Sequence, residues 1–312
     1  MITAADADRI RGLCRELAVA AAPVRVLSAV AWPDHLREEF LAAGASRLPE
    51  PSYPAFDGAA VFARCAAVRQ ALAGRDGAVD RWLLASAEGI ETGARMLESR
   101  GSIAFYEHAR RLYGGPSDVL PDETSTPVDL ALRLHKLVDT VSHVDVGAPA
   151  PACHLSSWVA SEMRRAVQEK FGPQAPVVEV VDELSANALA GPRRIRIRRT
   201  ACFTDKDVAQ LIHHEAFVHV ATSLNGAAQT DIPLLGLTNP RTAKTQEGLA
   251  VFAEFITGSM DLDRLRRLAD WSPRETWGFG SGPPRARITA AAGLGGLSLG
   301  IVGGWLAEHV GP

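Results

Sequence analysis

Cysteine is scarce in this 312-residue chain: four residues, Cys14, Cys65, Cys153 and Cys202, lie far apart and form no CxxC pair. That pattern excludes a thiolate zinc site and argues against a disulfide framework. The four read as small buried residues in a reducing compartment. A charge excess is also missing. The formal net charge is −3, so nothing global points to nucleic acid or to an anionic membrane. The opening residues, MITAADADRIRGLC, carry acids early and lack the apolar segment of a secretory signal. No internal repeat is visible. What is present is ordinary for a soluble globular protein: 47% apolar and 22% charged residues, enough chain for one large or two modest domains. The expected location is cytoplasmic.

Residues 1–113 are rich in Ala, Leu, Arg and Glu, which are good helix formers. Apolar residues at spacings of three and four predict helices over Asp6–Ala20, Pro33–Ala43, Gly58–Ala73, Val79–Ser99 and Ile103–Leu112. Residues 114–126 form a polar linker, and Thr126-Pro127 starts a helix to about Val141. Another Pro-rich loop covers 145–155, and Ser156–Phe171 reads as a helix. The pattern then changes. Pro176–Val181 is short and β-branched, and residues 193–199 alternate strictly, so both read as strands. Thr204 with Asp207 looks like a capping box for a helix through LIHHEAFVHVATSL, ended by a turn at Asn225-Gly226. A last helix begins near Thr245.

The chemistry concentrates in His214-Glu215-Ala216-Phe217-Val218-His219, an HExxxH segment. Zinc peptidases place two imidazole ligands and a proton-transferring glutamate on one helix. Their usual spacing is HExxH, because residues i and i+4 lie only ~40° apart around a helix. Residues i and i+5 lie ~140° apart, so His214 and His219 share a metal only if the helix carries a π-bulge or loosens. A mononuclear site needs a third protein ligand. Glu247, 28 residues after His219 and near the start of the next helix, fits that role. Glu254 lies on the same helix face and could orient a ligand histidine. The competing reading makes Glu247 a helix N-terminal charge and Glu254 a solvated one. His213, His108 and His135 read as structural.

Taken together, HEAFVH, Asn225-Gly226 with Gln229, and Gln246-Glu247-Gly248-Leu249-Ala250 resemble the QEGLA-motif proteins. These are the bacterial flavohemoglobin expression-modulating proteins, with the microtubule-associated tyrosine carboxypeptidases as eukaryotic relatives. Tyr113-Gly114-Gly115-Pro116-Ser117-Asp118 is similar to an upstream stretch of the same family. The resemblance covers about residues 100–265. It implies a zincin-like catalytic domain, placed at 126–268; with the helical N-terminal region (1–125) read from apolar spacing and an atypical Gly-rich tail (269–312) that departs from the family, the expected fold class is α+β. The resemblance further implies a Zn2+ cofactor held by His214, His219 and Glu247, with Glu215 catalytic. The implied activity is carboxypeptidase-type hydrolysis of a peptide or protein C-terminus by zinc-activated water. The alternative is a catalytically inactive regulatory or scaffold protein that keeps the metal-binding fold.

Asn225 and Gln229 are candidates for shaping the pocket, although a plain turn explains Asn225-Gly226 as well. Arg194, Arg196 and Arg198 project from one side of their strand and could hold an acidic peptide or a terminal carboxylate. The alternative is a solvated edge strand whose charges block aggregation. After Leu268 the resemblance ends. Residues 288–307 run without charge for the length of a bilayer crossing, but their glycines make a poor helix in water. Neither a nucleic-acid partner nor a membrane is expected, a tail anchor over 288–307 being the alternative.

Overall fold

Helices whose apolar residues recur every three or four positions build the first half of the chain. The structure, a computed structural model, describes residues 3–271 except 31–33, 45, 47–48, 116, 121, 142–152, 183, 185, 192 and 238–239. In α1 (Ala4–Ala21) the buried set is Ile10, Cys14, Leu17 and Ala20; α4 (Ala59–Ala71) buries Val61, Cys65 and Val68. Both stripes face α5 (Ala78–Glu98), which offers Leu83, Ala87, Ile90 and Ala94. Each fully buried leucine here contributes roughly 1.5–3 kcal/mol. Between α1 and α4 lie α2 (Val26–Val30) and α3 (Asp34–Ala42). The far end of α5 packs with α2 and α6 (Ile103–Tyr113) through Met96, Leu97, Val26, Phe105 and Ala109. Next comes α7 (Pro127–Val141), where Thr126 and Asp129 exchange capping hydrogen bonds.

The second half mixes helices with two small sheets, so the protein is α+β and helix-rich. Strand β1 (His154–Leu155) leads into α8 (Ser156–Phe171), then β2 (Val177–Val181), β3 (Ala188–Gly191), β4 (Arg194–Arg198) and β5 (Cys202–Phe203). The larger sheet has the order β2-β4-β3, with β2 parallel and β3 antiparallel to β4; β1 pairs with β5. Ile195 and Ile197, both 0% exposed, lie on the inner face of β4 against Val159, Ala160 and Met163 of α8. Helix α9 (Asp205–Leu211) follows, then a π-helical stretch over Ile212–Val220, α10 (Ala221–Ala227), a 3-10 turn at Pro233–Gly236, α11 (Pro240–Ile256) and α12 (Leu262–Trp271). Ala216 and Val220 of the π-helical stretch close the same core as Ile195 and Ile197.

Several expectations need correction. Cys153 and Cys202 are both exposed and joined as a disulfide, 49 residues apart in sequence; the β1–β5 pairing is what brings them together. Only Cys14 and Cys65 are buried free thiols. The arginine strand is not an edge: β4 is the middle of its sheet, and the arginines line its open face. Asn225-Gly226 does not end the helix, since α10 runs on to Ala227. The helix expected to be the last starts at Pro240 instead of Thr245, and α12 follows it. The tail reading over 288–307 lies outside the described residues. Among those described, no helix is long and apolar enough to cross a membrane.

Gly226 has a packing reason to be glycine. A Cβ there would stand 2.0 Å from the Leu235 carbonyl oxygen, because the Pro233–Gly236 turn crosses directly over α10. Helix propensity alone would favour Gly226→Ala by roughly 0.5–1 kcal/mol. The clash is with backbone and reverses the sign, so this substitution is expected to destabilise by about 1–3 kcal/mol. Urea unfolding of the two proteins measures it, and a more stable Ala variant would refute the close approach.

Candidate metal centre

The centre begins with a well-fixed helix start. Thr204 Oγ1 accepts from the Asp207 N–H at 3.1 Å, and Asp207 Oδ2 accepts from the Thr204 N–H at 3.0 Å. From this capping box α9 runs without a break into the π-helical stretch. A π-helix closes its hydrogen bonds five residues apart instead of four, so residues at i and i+5 come to lie over one another. That resolves the awkward HExxxH spacing. The His214 and His219 rings stand side by side, centroids 4.9 Å apart and planes at 71°.

Helix α11 lies along the π-helical stretch and brings Glu247 to the two rings. His214 Nε2 is 3.6 Å from Glu247 Oε2, and His219 Nε2 is 3.5 Å from Glu247 Oε1. One ligand atom from each of the three residues lies within 4.8 Å of the others. Zinc takes imidazole nitrogen and carboxylate oxygen at about 2.0–2.2 Å, which puts tetrahedral ligand atoms about 3.3–3.6 Å apart. Two imidazole nitrogens and a carboxylate are a donor set that suits zinc, and both nitrogen–oxygen distances lie near that spacing, each to a different oxygen of Glu247.

The far sides of both rings are held. His214 Nδ1 lies 2.6 Å from Oε1 of Glu254, which is completely buried. His219 Nδ1 faces Gln246 Oε1 at 3.4 Å. Arg264, on α12, pairs with Glu254 through two hydrogen bonds. With Nδ1 used in this way, the Nε2 atoms are the ones left facing Glu247. Glu215 takes no part in the three-residue cluster. Its Oε2 accepts the Ala190 backbone N–H at 2.9 Å, which ties it to β3.

Charge follows from these contacts. Burial opposes a proton on His214, but hydrogen bonds to Glu247 and Glu254, with the nearby Glu215 charge, raise it to about 9. Burial pushes the Glu215 carboxyl up, against the pull of His214, His219 and the Ala190 N–H. Burial would also raise Glu247 and Glu254, yet the histidines, and for Glu254 the Arg264 guanidinium, bring both below the usual carboxylate range.

The other expected residues fall elsewhere. Asn225 and Gln229 are exposed; the Gln229 backbone N–H donates to the Gly226 carbonyl in the turn after α10. Arg194 pairs with Glu179 at 3.3 Å, and Arg198 donates to Asn187 Oδ1 at 2.6 Å. Arg196 is exposed and has no ion-pair partner among the described residues. His213 packs edge-on against Phe217, away from the pair of rings. Sequence reading missed three participants: Gln246, Arg264 and the Ala190 backbone. Gln246 had a signal, as the neighbour of Glu247 in the QEGLA stretch. Arg264 and Ala190 had none, since only chain return places them here.

A divalent cation can coordinate His214 only in its unprotonated form. Because that ring holds a proton up to about pH 9, binding must release it. Apparent affinity is therefore expected to climb from neutral pH to about 9, by at most ~tenfold per pH unit from this proton, and then to level off. Calorimetry in buffers of different ionisation enthalpy counts the protons; an affinity flat across this window contradicts the assignment.

Of the comparisons with known proteins, one gives a match. A model of the family described as microtubule-associated tyrosine carboxypeptidase matches residues 38–271. The match begins within α3, well upstream of the motifs, ends with α12, and contains every residue of the centre. No curated protein and no solved structure matches. The family match covers about three quarters of the chain, and the protein belongs to the microtubule-associated tyrosine carboxypeptidase family.

Proposed function

We propose that this protein is a zinc-dependent carboxypeptidase-type peptidase with a zincin-like catalytic centre. In it, His214, His219 and Glu247 are the metal ligands and Glu215 is the catalytic base. The observation that carries the reading is the convergence of the two Nε2 atoms on one carboxylate, made possible by the π-helical stretch. Zinc, when bound there, supplies Lewis acidity toward the attacking water and the scissile carbonyl.

The rest of the chemistry belongs to the chain. Glu215 sits beside the ligands but outside the cluster, so its carboxylate is free of a coordination duty. Its raised proton affinity suits a group that takes a proton from water and returns it to the leaving amine. Strand β3 is an edge of its sheet, antiparallel to β4, and runs next to the π-helical stretch. An edge in that position supports a zincin-like reading, because an extended peptide can align with it. The substrate is the C-terminus of a peptide or protein, as the family's description implies, with no particular protein specified. Arg196, with Arg194 and Arg198 beside it on the open sheet face, is the candidate for acidic residues of that substrate.

Two measurements test the reading. Metal content of the purified protein should approach one zinc per chain, and Glu247→Ala should lose most of it, since two histidines alone bind weakly. A peptide library read by mass spectrometry should show loss of C-terminal residues. With zinc loaded, Glu215→Gln should slow that turnover by about 10²–10⁴-fold without reducing zinc content. Equal turnover in the two proteins removes Glu215 as the base. Zinc binding without turnover in either would mark a silent metal-binding scaffold.

A further inference from the structure

Arg264 is buried, 6% exposed, and so is the carboxylate it meets, Glu254 at 0%. The guanidinium spans both oxygens: Nε donates to Oε2 at 2.7 Å and Nη2 to Oε1 at 2.8 Å. The same Oε1 lies 2.6 Å from His214 Nδ1 and accepts from Gln210 Nε2 at 3.3 Å. The terminal torsion of a glutamate is soft, so one donor leaves the carboxylate plane free to rock. A two-pronged arginine fixes that plane, which a lysine's point charge cannot do.

The chain takes care to deliver this arginine. The Ser259 N–H and Oγ both donate to the Glu254 carbonyl oxygen, at 3.0 and 3.1 Å, folding the turn after α11 onto Glu254 itself. Gly258 takes the left-handed conformation in that turn, at φ +67°. Asp261 then caps α12 by accepting the Arg264 N–H at 2.7 Å. Glu254 thus holds the turn by its backbone and the arginine by its side chain. Stability alone is a poor explanation for the pair. Burying two charges is costly, and well-packed apolar residues often serve a core as well or better. A direction-setting role does explain it.

We propose that Arg264 is a positioning residue for the metal ligand His214. By clamping the Glu254 carboxylate it fixes the point to which His214 Nδ1–H bonds, and so aims Nε2 at the shared point with His219 and Glu247. The inference rests on the metal-site reading above for its purpose, though the clamp itself is a property of the protein alone.

The test uses the full chain in three variants. Arg264→Gln removes the fork. Arg264→Lys keeps the charge and loses the two-pronged grip. Arg264→Met with Glu254→Gln removes both charges, leaving no unpaired buried ion while keeping an acceptor for His214; it serves if Arg264→Gln does not fold. Circular dichroism confirms folding. Zinc affinity by chelator competition and the cobalt-substituted absorption spectrum then report on the site. Folded variants are expected to bind zinc about 10–100-fold more weakly, with an altered cobalt spectrum. Arg264→Lys should fall between them and wild type.

In the metal-free protein, the His214 Nδ1–H proton should be far downfield and slow to exchange in wild type, and broadened in each variant. Wild-type zinc affinity together with a sharp His214 proton signal in any folded fork-less variant would overturn the proposal. If the wild-type protein binds no zinc, the metal-site reading fails, and the His214 proton signal still decides whether Arg264 holds the ring.

Discussion

Two histidines five residues apart cannot face one point from an ordinary α-helix, and the centre depends on how this chain removes that conflict. The π-helical stretch over Ile212–Val220 rotates His219 back over His214. It also keeps the other side of the helix in the core, where Ala216 and Val220 pack with Ile195, Ile197 and Phe203. The distortion is therefore anchored on both sides. A capping box fixes its upstream end, and Gly226 lets the Pro233–Gly236 turn press on the helix just downstream. A local irregularity of this kind is seldom retained without a functional reason.

Around that stretch the charges form an ordered series. Arg264 pairs with Glu254, Glu254 with His214, and His214 with Glu247. Arg264, Glu254 and His214 are buried and Glu247 is exposed, and each compensates the one before it. The arrangement explains why His214 holds a proton so firmly in the metal-free protein while Glu254 and Glu247 stay ionised. It equally suits exchange of that proton for a divalent cation, because the carboxylates that favour the proton also favour the metal. Glu215 stands outside the series, anchored to the Ala190 backbone of β3, and is the carboxylate whose burial pushes it toward protonation. Two nearby glutamates thus have opposite tendencies set by their partners, a pattern suited to dividing coordination from proton transfer.

Much of the local structure was legible in the sequence. Helices α1 and α3–α6 follow from apolar spacing, because one stripe of each must meet a core, and α7 follows from the Thr126-Pro127 start. The alternation in RRIRIRR placed Ile195 and Ile197 inward as expected. Thr204 and Asp207 announced their capping box. Strand β3, with the sequence ALAG, was not legible: it lacks the β-branched residues that mark a strand and becomes one only by pairing with β4. The Cys153–Cys202 link was hidden for the same reason, since the β1–β5 pairing that creates it spans 49 residues.

The sequence by itself determined the donor types and their spacing: two imidazoles and a neighbouring carboxylate in HExxxH, and a second carboxylate in QEGLA. It even required a helix distortion, because ~100° per residue is a geometric constant of the α-helix. Only the tertiary structure decided which carboxylate faces which nitrogen. Glu247 and Glu254 are seven residues apart on one face; the sequence pointed to Glu247 as the third ligand and left open which histidine Glu254 would meet. The packing of α11 along the π-helical stretch sends Glu247 to the Nε2 side and Glu254 to the Nδ1 side. The return of α12 then supplies Arg264, a charge that looks solvated in LDRLRRLADW and is buried because the turn at 257–261 folds it inward. Side-chain burial is a property of what packs over a residue, and for Arg264 that neighbour is set by the path of the chain.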